Sequence, residues 1–184
     1  MRFFKNLTSA RTLSLPHWRA RQRSQPESKM MPARNARILI IEDEKGIVLA
    51  IDGWFRHHSK TLSGIVLDHA PDLASGMDRA KDAHLIILDL TLPDSQDPME
   101  TLKRIPELRQ RAPVLVLTGR EDSDFPPDRN ITVLGVSEYG AEAVLFKSMM
   151  QSPEGMDWLI LSMQAALLRR AYVLKHGPEA IAPN

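Results

Sequence analysis

Five short apolar runs, spaced by stretches with helical periodicity, restrict this chain to a sheet covered on both faces. The runs are RILIIE (37–42), GIVLDHA (64–70), HLIILDL (84–90), PVLVLT (113–118) and AVLFK (143–147). The first is apolar throughout and rich in β-branched residues, as suits a strand buried on both sides. Between and after the runs, residues 45–58, 71–81, 98–110, 131–139 and 152–176 read as helices. Pro71 and Asp72 suit a helix start, whereas Pro106 inside 98–110 removes a backbone donor and favours a kink. Residues 120–129 read as a Pro- and Asp-rich loop. Alternation of this kind points to a parallel α/β sheet, and there is no internal repeat.

Four of the runs end in reactive groups. Glu42 and Asp43 close the first, Asp89 the third, Thr118 the fourth and Lys147 the fifth. Open α/β sheets bind ligands at the carboxyl ends of their strands, so these groups are expected to meet at one edge. Glu42 and Asp43 are adjacent and would point apart on an extended backbone, but just past a strand end both can turn to one ion. A carboxylate after the apolar stretch LIIL is costly to bury without a cation. Oxygen ligands favour Mg²⁺, and Asp89 is then a candidate covalent acceptor for a phosphoryl group. Thr118 could hydrogen-bond an oxyanion beside the small Gly119, and Lys147 could neutralise one as a point charge. Each group alone has a bland reading as a solvated or capping residue; the set in this order does not.

Charge divides the chain. Residues 1–37 hold nine of the 24 Lys/Arg and one of the 23 Asp/Glu, leaving 15 bases against 22 acids in the remainder. An acidic domain does not look like a nucleic-acid reader, because phosphate neutralisation needs Lys/Arg patches. Residues 1–36, with Pro16, Pro26 and Pro32 and no sustained period, read as a disordered basic extension. A binding arm, a transit peptide, or translation starting at Met30 or Met31 are the other readings of that segment. With no cysteine there are no disulfides, thiolate metal sites or thiol nucleophiles. No stretch approaches the roughly 18 apolar residues that span a bilayer. His57 and His58 lack a metal-binding pattern and read as surface. Trp54 and Phe55 read as helix-face packing. On the last helix, Trp158, Leu161, Ala165, Leu168 and Tyr172 form a stripe expected to pack on the sheet, with the far end left for a dimer or partner contact.

From about Arg37 to His176 the chain resembles the receiver (response-regulator) domain of bacterial two-component signalling. The segments that carry the resemblance are ILIIEDE, LIILDLTLPDSQ, VLVLTG and GAEAVLFKS, with 46 residues from Asp43 to Asp89 and 29 from Asp89 to Thr118. The resemblance implies a flavodoxin-like five-stranded parallel sheet of order 2-1-3-4-5 with helices on both faces, an order for which a protein of this family is a standard example. It implies a basic extension over 1–36, a receiver domain over 37–176 and a short tail over 177–184. It further implies that Asp89 accepts a phosphoryl group from a histidine kinase or phosphotransfer protein. Asp43 would bind Mg²⁺ directly, Glu42 through water and Thr91 by its backbone carbonyl, while Thr118 and Lys147 contact the phosphoryl oxygens. Such a protein would be a cytoplasmic phosphoacceptor rather than a turnover enzyme, and would act on a downstream protein partner or in a phosphorelay.

Three departures bear on how a signal would be read. The 29 residues from Thr118 to Lys147 exceed the family's usual spacing, with the excess expected in DSDFPPDRN. Val144 stands where an aromatic switch residue is common, and Ser148 follows the lysine where proline in a cis peptide is usual. Only seven residues follow Gly177, which leads to the expectation of a stand-alone regulator without a DNA-binding output domain. The alternatives are a receiver-like interaction module that works without phosphorylation, and an aspartyl-nucleophile phosphatase. Haloacid-dehalogenase-like phosphatases need an Asp two positions past the nucleophile, where this chain has Thr91.

Overall fold

The computed structural model describes residues 36–57, 64–125 and 130–177. The sequence readings for residues 1–35, for His58, for part of the 120–129 loop and for most of the 177–184 tail lie outside that range. The sheet contains β1 (Ala36–Ile41), β2 (Ile65–Ala70), β3 (Leu85–Leu88), β4 (Val114–Thr118) and β5 (Ala143–Phe146), all parallel in the order β2-β1-β3-β4-β5. This is the flavodoxin-like order expected above.

Side-chain alternation along β1 explains the two layers. Ile38 and Ile40 face a core shared with Leu85, Ile87, Leu115 and Leu117, covered by α1 (Lys45–His57) and α6 (Pro153–His176). Leu39 and Ile41 face the opposite core with Ile86, Leu88, Val114 and Val116. That side is covered by α2 (Leu73–Arg79), α3 (Pro98–Leu102), α4 (Ile105–Arg109) and the short α5 (Ile131–Val133). A period of two in the central strands thus supplies both interfaces.

Several helices differ from their sequence reading. Residues 98–110 form two helices instead of one, because Pro106 cannot donate back into the preceding turn and the chain restarts at Ile105 with Pro106 in its first turn. The face survives the break: Leu102, Ile105 and Leu108 are all buried. Helix α2 begins at Leu73, not 71, since the Asp72 side chain accepts the Ser75 N–H (2.7 Å) as an N-cap, and a 3-10 turn (Ala80–Asp82) ends the segment. Residues 131–139 make one α turn that widens into a π turn (Leu134–Glu138). In α1, Ile51 and Phe55 are buried as expected and Trp54 meets Phe55 edge-on, but Leu49 points to solvent.

Helix α6 is turned away from its expected orientation. Its buried residues are Met156, Leu159, Ile160, Met163, Ala166 and Leu167, while Trp158 (58 %), Leu161 (56 %) and Tyr172 (47 %) are exposed. The helix is apolar on two opposite faces, so periodicity alone could not choose between them. The start of the helix decides. A 3-10 turn (Lys147–Gln151) leads into the Ser152 cap, whose Oγ accepts the Gly155 N–H (3.1 Å). Gly155 then lies so close to the Met149 carbonyl that any Cβ would collide with it. That close approach holds the first turn of the helix against the 3-10 turn, and the face with Met156, Leu159, Ile160 and Met163 lies on the sheet.

Candidate functional site

Register brings the first two groups together. Ile41 of β1 pairs with Leu88 of β3, so the residues that follow, Glu42 and Asp89, emerge side by side at the carboxyl edge. The Asp89 N–H donates to the Ile41 carbonyl (2.9 Å) and the Glu42 N–H to the Ala70 carbonyl (3.0 Å), which locks both backbones beyond the last strand pair. Lys147 reaches in from the end of β5. Its ammonium donates to Glu42 Oε1 at 2.9 Å and Asp89 Oδ2 at 3.0 Å, and lies 3.6 Å from Glu44 Oε1. Glu42 is 1 % exposed and Asp89 3 %. One buried ammonium therefore answers two buried carboxylates.

The electrostatics follow from that count. Burial, reinforced by the charge of Asp89, pushes the Glu42 carboxyl up to about 7, against the opposing bond from Lys147. Burial likewise raises Asp89, opposed by Lys147 and by the N–H groups of Leu90 (2.7 Å) and Thr91. For Lys147 burial works against the charge, but the two carboxylates override it and hold the ammonium above its ordinary value. The pocket carries an excess of negative charge that a cation would relieve.

Carboxylate oxygens of Glu42, Asp43 and Asp89 lie within 4.8 Å of one another. An all-oxygen set of this size fits a hard divalent ion such as Mg²⁺, which retains several waters and takes few protein ligands. Glu42 and Asp89 are buried and Asp43 is exposed. The adjacent pair thus does turn to one side after the strand, with Lys147 gripping Glu42.

The other expected residues stand in different relations to this cluster. Thr118 ends β4, is fully buried, and its hydroxyl accepts the Arg120 N–H (3.1 Å), so it flanks the ionic cluster without joining it. Thr91 is exposed, with its N–H directed at Asp89. Val144 is buried and presses on Gly135, where an added Cβ would come within 2.7 Å of its Cγ2. The Lys147–Ser148 peptide is trans, and the Ser148 hydroxyl donates to Glu121 Oε1 (2.9 Å). Residues 120–125 are less of a loose loop than their composition suggests. Asp122 accepts from the Thr132 N–H (3.1 Å) and hydroxyl (2.9 Å), and Arg120 stacks 5.5 Å from the centre of the Phe125 ring.

Three supporting residues escaped the sequence reading. His69 Nε2 lies 2.7 Å from the Glu42 carbonyl and steadies the β1 exit. The buried Thr101 hydroxyl donates to the Leu90 carbonyl (2.8 Å) and so fixes the turn after Asp89. Asp94 accepts the Leu73 and Ala74 N–H groups (2.8 and 2.9 Å), tying that turn to α2. Nothing in sequence spacing marks any of the three.

Comparison with known proteins adds to this geometry. A family model described as the response regulator receiver domain matches residues 38–153. Among solved structures, a CheY-like response regulator receiver domain protein from Methanospirillum hungatei is 19 % identical, with a TM-score of 0.56 over 75 % of this chain and 98 % of that one. A receiver domain protein from Clostridium thermocellum is 23 % identical, with a TM-score of 0.56 over 75 % and 98 %. The receiver domain of the Francisella response regulator 1452 is 22 % identical, with a TM-score of 0.53 over 74 % and 99 %. At these identities the structures share the fold. No curated protein matches the chain.

Proposed function

Because the chain belongs to the response regulator receiver domain family, we propose that it is a phosphoacceptor switch whose acceptor is Asp89. The observation that carries this reading is the Lys147 ammonium held between Glu42 and Asp89 at 2.9 and 3.0 Å, with Asp43 in range of the same ion. A sensor histidine kinase or histidine phosphotransfer protein supplies the phosphoryl group. One carboxylate oxygen of Asp89 attacks phosphorus, the O–P bond forms, the N–P bond to the donor imidazole breaks, and the departing nitrogen keeps the electron pair. Mg²⁺ bound by Glu42, Asp43, Asp89 and the Thr91 carbonyl would offset charge on the transferring group. Lys147 stabilises the same charge from the β5 side, so the residues contribute by position and electrostatics. Catalysis is confined to the protein's own phosphorylation and dephosphorylation.

Readout begins at Thr118. Its hydroxyl accepts the Arg120 backbone N–H and can donate its own hydrogen to a phosphoryl oxygen, so a shift of Thr118 is passed to Arg120, whose side chain carries the stack on Phe125. The altered contact then passes into the 120–125 turn, where a downstream partner would sense it, in place of an aromatic at Val144. A second copy of the chain is the partner proposed for the outer stripe of α6. Trp158, Leu161, Ala165, Leu168 and Tyr172 recur at alternating intervals of three and four, the spacing by which helices pair with their own kind. Among the described residues no helix is long and apolar enough to cross a membrane.

Incubation with acetyl phosphate and Mg²⁺ tests the main reading. The intact mass should rise by one phosphoryl group, and the gain should vanish in Asp89→Asn or with EDTA. An unchanged mass for the wild-type protein would reject it. The second reading, an interaction module indifferent to phosphate, is favoured by the Ser148–Glu121 bond and the packed Val144. It predicts partner affinity unaffected by Asp89→Asn.

A further inference from the structure

At the opposite edge of the sheet, where the strands begin, lies a cavity of about 470 Å³. Its lining includes Arg109 at the end of α4, Arg111 in the turn before β4, and Arg169 and Arg170 near the end of α6, with Glu142 as the acidic member. Four guanidiniums against one carboxylate leave an excess of three positive charges. Glu142 is committed to Arg169 (3.1 Å). Arg170 donates to the His84 carbonyl (3.3 Å), and its burial lowers its pKa. Arg109 and Arg111 have no ion pair within the described residues.

A helix C-terminus attracts one or two cations through its dipole, but it does not explain four that converge from two helices and a turn. The position of Arg109 is also built. Its guanidinium packs on Gly140, whose positive φ of 76° already favours glycine and whose absent Cβ leaves the guanidinium its space. Apart from Gln110 the rest of the wall is apolar, with Pro113 and Val173 beside the arginines.

We propose that this cavity binds an organic polyphosphate of nucleotide size. Three considerations select that ligand class. Guanidinium forks match phosphate oxygens in pairs and stack on flat rings. The volume falls within the roughly 300–1,000 Å³ of small-molecule sites. An apolar wall next to a polycationic one calls for a ligand with both characters, which inorganic phosphate lacks. The proposal is independent of the phosphoacceptor reading, since the two sites lie at opposite ends of the strands.

Calorimetric titration with ADP in EDTA, without Mg²⁺, tests it on the full chain. One saturable site is expected, weakened at least tenfold by the double substitution Arg109→Gln/Arg111→Gln and retained in Asp89→Asn. Both arginines are exposed, so an unchanged melting temperature should accompany the loss. Pyrophosphate should bind more weakly than ADP, and equal affinity would overturn the role given to the apolar wall. No saturable heat at millimolar ADP, affinity unaffected by the double substitution, or affinity lost in Asp89→Asn would each overturn the site.

Discussion

At the carboxyl edge of the sheet one ammonium answers two buried carboxylates, whereas at the amino edge four guanidiniums face a single carboxylate. The first cluster has its two bonded carboxylates buried and is negative; the second is lined by exposed and half-buried arginines and is positive. Burial makes the difference consequential. An unbalanced charge in the interior shifts the pKa of its neighbours and creates demand for a specific counter-ion, as Glu42 shows by rising to about 7. The same imbalance at a solvated rim is screened, and it leaves the fold unaffected while favouring anions. The sheet thus presents a site poised for a cation at one end and one poised for an anion at the other.

The sharpest way to break this contrast is at Asp89. Asp89→Asn should abolish Mg²⁺-dependent uptake of phosphate from acetyl phosphate, read by intact mass, while leaving ADP binding at the arginine cavity in place. Next is Lys147→Met, which strips the shared counter-charge from two buried carboxylates. A loss of about 3–5 kcal/mol is expected for breaking a buried pair in this way, measured by urea unfolding, and Mg²⁺ should recover part of it. The equivalent neutralisation of exposed Arg111 should leave stability within about 0.5 kcal/mol.

The pH response separates the edges further. The folded-state pKa of Glu42 lies above its unfolded value of 4.5, so the folded protein holds a proton that the unfolded chain releases. Stability in EDTA should therefore be highest below pH 4.5 as far as this group is concerned, and should fall as pH rises through the window from 4.5 to about 7. The full loss is on the order of 3 kcal/mol by linkage. Mg²⁺ affinity should rise over the same window as Glu42 ionises. A stability profile flat across that window in EDTA would contradict the buried two-carboxylate arrangement. A smaller effect is expected at Thr101→Val, which leaves the buried Leu90 carbonyl without its hydroxyl donor. The cost should be about 1–3 kcal/mol, accompanied by slower phosphorylation because the turn after Asp89 loosens.

Where the sequence succeeded and where it did not follow from what each signal depends on. The runs around Ile38, Ile86 and Val116 are legible because a strand covered on both faces is what makes four β-branched and aliphatic residues in succession stable. The strand order that gathers Glu42, Asp89 and Lys147 came from the family resemblance, and their register is set by the tertiary pairing of the strands. Helix limits were less secure where two local signals competed. At Pro106 a common apolar face argued for one helix and the missing donor for two, and the donor prevailed. The stripe of Trp158, Leu161 and Tyr172 misled because size and periodicity do not encode rotation about the helix axis. His69, Thr101 and Asp94 left no trace in spacing, since each supports the site from an element distant in sequence.

Local chemistry along the chain was enough to determine which residues end each strand and that the sheet is parallel and covered on both faces, because burial on two faces and the period of an extended backbone admit few alternatives; the strand order that gathers those residues followed from the family resemblance. That Lys147 bridges Glu42 and Asp89, that Thr118 accepts from Arg120, which face of α6 meets solvent, and that four arginines line one cavity were decided only by packing. Those outcomes depend on close approaches such as Gly155 to Met149 and Gly140 to Arg109, and such contacts exist only once distant segments have been brought together.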